Sequence, residues 1–167
     1  MKLERLIDLV TFLAPAYGAN MAPPFVRFWK GWNAPLHRRW LGDHKTVLGV
    51  VVGLAAALAV AAVQSCCGAP HFPIANRPWW LHGLLCGAGA LGGDALKSLF
   101  KRRRGIPPGG SWIPFDQLDF QVGALLLAGP GARLAAPDVV VLLAVGFLGA
   151  LLFSRLAFGL GIKKTKW

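Results

Sequence analysis

The chain has 167 residues, 55% of them hydrophobic and only 15% charged, with a formal net charge of +11. That balance excludes an ordinary soluble domain and points to a single membrane-embedded domain over residues 1–167. Its Ala-, Leu- and Gly-rich runs do not alternate, which excludes a membrane β-barrel built from alternating segments of about 10 residues.

The first apolar segment covers residues 6–25. Lys2 and Arg5 precede it and Ala14-Pro15-Ala16 has the small-x-small form of a cleavage site, but Glu4 and Asp8 suit a signal peptide poorly. The reading is a retained helix kinked around Pro15. A basic, Trp-rich connection follows, with Arg27, Lys30, Arg38, Arg39 and Lys45. Within it Gly42-Asp43-His44-Lys45-Thr46 lacks the glycine-rich loop of a P-loop. Gly42 and the free amides of the helix that starts there still suit an anion.

Residues 46–63 form an uncharged run of 18, close to the roughly 20 residues that cross a hydrocarbon core. Cys66 and Cys67 are adjacent and Cys86 stands apart, so no zinc-type spacing exists, and His71 and His82 take loop and packing roles. Gly49, Gly53 and Ala57 in this segment, and Gly83, Gly87, Gly89, Gly92 and Gly93 in the next, let helix backbones approach closely. That packing is expected to bring the ends of the second and third helices together around a shared ligand.

Residues 79–100, 115–132 and 139–162 complete a bundle of five spanning helices. Trp29, Trp32, Trp40, Trp79, Trp80 and Trp112 fall near the predicted boundaries, as an interfacial belt does. The cations gather in the first connection, at 101–104 and at Lys163, Lys164 and Lys166, whereas the opposite loops carry Arg77 and Arg133. By the positive-inside rule the C-terminus is cytoplasmic and the N-terminus outside, with Lys2 and Arg5 opposing this.

The chain has seven acids, and Asp43, Asp94, Asp116 and Asp119 all fall at predicted cytoplasmic helix ends. Asp94, Lys97, Ser98 and Lys101 follow i, i+3, i+4, i+7, which places them within an arc of about 100°. Charges at such depth cost about 2.5 to 3.5 kcal/mol each on insertion scales, so they face a partner or a watery cavity. An Asp94–Lys97 ion pair alone leaves Asp116 and Asp119 unexplained; those two, taken alone, equally suit capping of the fourth helix. Together with Lys45, Lys97, Lys101 and Arg102 to Arg104 the acids suit Mg²⁺ and phosphates. Two other classes compete: a small transporter with an ion path, and a scaffold gripping anionic lipids through residues 101–104. The first does not need the cation cluster, and the second leaves the aspartates idle.

The ordered set of Pro15, Ala16 and Asn20; Gly42, Asp43, Lys45 and Thr46; Gly93, Asp94, Lys97, Ser98, Lys101, Arg102 and Arg103; and Asp116, Gln117 and Asp119 resembles the archaeal CDP-archaeol synthase family. The likeness covers most of the chain, and its last two blocks are also similar to phosphatidate cytidylyltransferases. The sequence departs from the family pattern between Arg27 and Leu41, where Leu36-His37 stands in place of an Ile-Asp. The resemblance implies an all-α integral membrane protein of five helices that condenses CTP with a lipid phosphate, releasing pyrophosphate, with Mg²⁺ as cofactor. The lipid would be a diether of glycerol phosphate or a phosphatidate-like lipid. Asp94, Asp116 and Asp119 would hold the metal, with Lys97 beside them in the catalytic group. Gly42, Asp43, Lys45, Thr46, Ser98, Lys101, Arg102, Arg103 and Gln117 would bind or orient the phosphates, with Asn20 lining the site. Partners are CTP, the lipid phosphate and membrane lipids, without nucleic acid, and the active site would face the cytoplasm from the cell membrane.

Overall fold

The computed structural model describes residues 2–37, 41–42, 45–68, 72–106, 110 and 112–159. Five long helices carry the fold: α1 (Leu3–Met21), α2 (Val47–Cys66), α3 (Trp79–Arg103), α4 (Phe115–Ala128) and α5 (Ala136–Gly159). A 3₁₀ helix (Pro23–Phe28) follows α1, and one helical turn (Phe72–Ala75) lies between α2 and α3. No strand occurs among the described residues; the only extended pairing there is an isolated bridge between Pro35 and Thr46.

The five expected segments are all helical, with shifted ends. By length and apolarity alone α2 is the one described helix that qualifies to cross a membrane. The segment expected over 115–132 stops at Ala128, where Gly129, Pro130 and a left-handed Gly131 (φ +78°) break it. Its 14 residues span about 21 Å at 1.5 Å per residue, short of a hydrocarbon core about 30 Å thick.

The helix contacts are built largely on small residues, while many large apolar side chains face outward. Ala16, Ala19, Ala57, Ala61, Ala90 and Ala124 are fully buried, while Val51 (55%), Leu126 (68%) and Leu148 (63%) are exposed. An apolar belt on a folded chain needs an apolar solvent. Successive helices run antiparallel, and the glycines set how closely they cross. A methyl group on Gly83 would stand 2.9 Å from Ala61 Cβ, and one on Gly87 2.8 Å from Ala57 Cβ, which seats α3 on α2 as the small-residue pattern predicts. Gly89 and Gly93 turn instead to α4: a methyl on either would overlap the backbone of Gly123 or the Asp119 carbonyl.

α1 belongs to this core, with Leu9, Phe12, Leu13, Ala16 and Ala19 fully buried. Pro15 lies inside it and has no N–H to give the Thr11 carbonyl. Gln64 of α2 replaces that donor through its Nε2 at 2.8 Å, and His82 of α3 donates from Nε2 to the Phe12 carbonyl at 2.9 Å. His82 is thus a packing histidine, as expected, and its contact fixes the Nε2–H tautomer.

Candidate active site

The candidate side chains among the described residues stand at one end of the bundle, where α1 finishes, α2 begins, α3 finishes and α4 begins. Local sequence explains each terminus. Thr46 caps α2, its Oγ1 accepting the Gly49 amide at 3.1 Å. The preceding chain is clipped back by Leu36 N to Lys45 O (2.8 Å) and Val47 N to Ala34 O (2.9 Å), which holds Lys45 over the helix start. α3 ends in a Schellman motif: Gly105 takes φ +70°, its N–H bonds Arg102 O, and Ile106 N–H bonds Lys101 O. The cations Lys101, Arg102 and Arg103 occupy its last turn, where the carbonyl end of the helix dipole favours them.

Three carboxylates meet at Lys97. Its Nζ lies 2.6 Å from Asp119 Oδ2, 3.1 Å from Asp94 Oδ1 and 3.5 Å from Asp116 Oδ1. Lys45 forms a second ion pair with Asp94, and Lys101 binds both oxygens of Asp116, at 2.9 and 3.0 Å. The close crossing at Gly93 and Gly123 puts the Asp94 and Asp119 side chains in reach of one ammonium. Asp119 is the deepest of the three, its side chain 5% exposed against 21% for Asp94 and Asp116. Its Oδ2 is buried and has no hydrogen-bond partner, so the Lys97 contact is an ion pair without hydrogen-bond geometry.

The remaining predicted residues divide. Asp116 does not cap α4: its Oδ2 accepts the Trp112 amide at 2.6 Å, which anchors the incoming loop, while Lys101 also reaches the Gly110 carbonyl at 2.5 Å. Ser98 spends its hydroxyl on the Asp94 carbonyl one turn back, at 2.9 Å. Arg102 bonds the Ile106 carbonyl at 3.0 Å and lies against Gly42, which takes φ +81°. Arg103 is exposed, Arg104 lies 5.2 Å above the Trp112 ring, and Gln117 is buried with an unpartnered Oε1. Asp43, Arg38, Arg39, Trp40, His71 and the C-terminal lysines lie outside the described residues.

Beside the cluster opens a cavity of about 560 Å³. Lys45, Thr46 and Asp94 form its charged end together with Asn20, the residue expected to line the site from α1, while Pro23, Val50 and Leu91 contribute apolar wall. Asn33 and Leu36 also line it, and nothing in their sequence context signals that role. Burial, then the neighbouring Lys97 charge, lowers the Lys45 ammonium to about 8, although Asp119 opposes the shift. No group of three or more His, Cys, Asp or Glu side chains among the described residues is spaced to hold a metal. The Lys97 ammonium stands where the three carboxylates converge.

The sequence matches the CarS-like family, described as CDP-archaeol synthase, over residues 3–167. The CDP-archaeol synthase of Methanospirillum hungatei is 40% identical over 141 residues, covering 78% of this chain and 82% of that protein. That of Thermococcus onnurineus is 34% identical over 176 residues and covers both chains fully, at 100%. A solved structure, an intramembrane enzyme for archaeal membrane lipid biosynthesis, superimposes with a TM-score of 0.72 at 28% identity, over 86% of this chain and 90% of its own.

Proposed function

The chain belongs to the CDP-archaeol synthase family, and from that premise we propose that its lysine–aspartate cluster transfers CMP from CTP to the phosphate of a membrane lipid, in an Mg²⁺-dependent reaction that leaves pyrophosphate. The protein is a membrane enzyme, a CTP:lipid-phosphate cytidylyltransferase. The observation that carries the site assignment is the convergence of Asp94, Asp116 and Asp119 from two helices on one cationic centre, with Lys45 and Lys101 flanking it.

A phosphomonoester has its second pKa near 6, so the lipid phosphate is already a nucleophile at neutral pH and needs no general base. Its oxygen forms the new bond to the α-phosphorus of CTP while the bond from that phosphorus to the bridging oxygen breaks. The obstacle is repulsion between a dianion and a triphosphate, and preplaced positive charge removes it. Lys45, which lines the cavity, and Lys97, paired with the cavity-lining Asp94, meet phosphate oxygens of the two substrates. Lys101 and Arg102, held by Asp116 and Ile106, set the positive rim on which pyrophosphate leaves.

In chemistry, though not in the spacing they hold around Lys97, the carboxylates of Asp94, Asp116 and Asp119 suit a hard divalent cation, among them a buried oxygen of Asp119 without a hydrogen-bond donor. Bound there, Mg²⁺ would supply Lewis acidity and charge neutralisation at the phosphates. The cavity, with its charged end at Lys45 and Asp94 and its apolar wall at Val50 and Leu91, receives the body attached to one of those phosphates. The lipid we assign is an archaeal-type diether of glycerol phosphate, taken from the membrane around the five helices. The cluster faces the cytoplasm from the cell membrane, with the N-terminus outside.

The test is pyrophosphate release by the purified protein in detergent with CTP, Mg²⁺ and a panel of diether and diester lipid phosphates. Diether-dependent release, reduced at least 100-fold in Asp119→Asn, is the expected result. Equal rates with diester lipids overturn the lipid assignment, and full activity in the variant removes the cluster from the chemistry.

A further inference from the structure

We infer that Lys97 is a resident counter-ion: its ammonium holds the three carboxylates together, and it must withdraw before a divalent cation can take its place. The inference rests on the proposed Mg²⁺ site and concerns how that site is filled. Asp94 and Asp116 each have a second cation, Lys45 and Lys101, whereas Lys97 is the one described ion-pair partner of Asp119. The cluster of Asp94, Asp116 and Asp119 with Lys45, Lys97 and Lys101 therefore carries no net charge when closed. A side chain 5% exposed cannot stay ionised without such compensation.

The Asp119 contact is an ion pair without a hydrogen bond. Its Oδ2 is buried and lies 2.6 Å from Nζ, yet outside hydrogen-bond geometry, so charge alone holds the pair. A divalent ion approaching the closed cluster meets a neutral site with a like charge at its centre. With Lys97 withdrawn, the same ion meets one net negative charge and free carboxylate oxygens. Lys97 sits on a helix one turn from both Asp94 and Lys101, and its four-carbon stem lets the ammonium leave while the backbone stays. The group that draws it out is an anion, and a triphosphate at the cavity mouth is one. Metal and nucleotide consequently bind together, and metal alone binds weakly.

The measurement is equilibrium binding of Mn²⁺, read from the free-ion electron paramagnetic resonance signal, to wild type and Lys97→Met in detergent without nucleotide. Lys97→Met is expected to bind one Mn²⁺ at least tenfold more tightly than wild type. A parallel melting experiment is expected to show wild type indifferent to chelator, and Lys97→Met destabilised by chelator and restored by Mn²⁺. Lys97→Gln, close in length and able to hydrogen-bond carboxylates, serves the same comparison should the methionine variant not fold. Equal Mn²⁺ affinity in wild type and variant overturns the counter-ion role and leaves the metal site standing. Absence of Mn²⁺ binding from every protein, with CTP present or not, overturns both.

Discussion

Lys45 illustrates how much one side chain's surroundings decide. From the sequence it is a basic loop residue; in the fold it is largely buried near Lys97, and burial brings its ammonium down to about 8. Its charge is lost progressively as pH rises through about 8, so kcat/KM for CTP is expected to fall on a basic limb centred there. Unfolding through this group is not the cause. Between 8 and 10.5 the unfolded chain binds the extra proton, so the contribution of Lys45 to stability rises with pH there. Lys45→Arg stays charged throughout, and its pH profile should lose that limb; an unchanged limb would assign it to another group. Other residues at this scale were only half legible. Asp94, Lys97, Asp116 and Asp119 announce themselves as charges in an apolar chain, but Ser98 and Asp116 turn oxygens to backbone groups four residues away, the Asp94 carbonyl and the Trp112 amide, which residue type alone does not reveal.

At the scale of elements, the site depends on how closely α3 and α4 cross. A methyl group at Gly93 would overlap the Asp119 carbonyl, so Gly93→Ala must push α4 away and carry Asp119 off the Lys97 ammonium. Overpacking of this kind costs about 1–3 kcal/mol, and a displacement near 1 Å at the reacting groups costs on the order of 100-fold in rate. Gly92→Ala is the control, because its methyl meets nothing within 4 Å. Melting temperature and pyrophosphate release should both drop in Gly93→Ala and hold in Gly92→Ala; equal behaviour of the two would deny the crossing its role. The glycine spacing was visible beforehand as a packing signal between the second and third helices. That Gly89 and Gly93 serve the third and fourth was not, because a sequence shows which residues are small and not which neighbour they meet. Pro15 is similar: the orphaned Thr11 carbonyl could be foreseen, but not that Gln64, 53 positions away, would supply its donor.

For the whole molecule, the two ends of the bundle differ in chemistry. The site end gathers the ion cluster, with Lys45 before α2 and the cations in the last turn of α3. At the other end Arg5 donates to Asp138 at 2.5 Å and to the Arg133 carbonyl at 3.2 Å, and Cys66 and Cys67 are exposed thiols. With Arg5 committed to Asp138, one of the two charges that opposed the proposed topology is paired. A membrane-impermeant maleimide is therefore expected to label Cys66 and Cys67 on intact cells without permeabilisation, leaving buried Cys86 untouched; labelling only after permeabilisation would invert the topology. Membership of an enzyme family removes the transporter and scaffold readings, which composition alone had left in competition. What the amino-acid order determined by itself was the helical, membrane-seeking character of the chain and the identity of its charged residues, since both follow from local hydropathy and spacing. What only the tertiary structure decided was who meets whom: Lys97 inside three carboxylates, Lys45 over a cavity, Asp119 without a hydrogen bond. Those contacts join residues brought together by helix packing, and packing depends on shape in three dimensions, which no local pattern encodes.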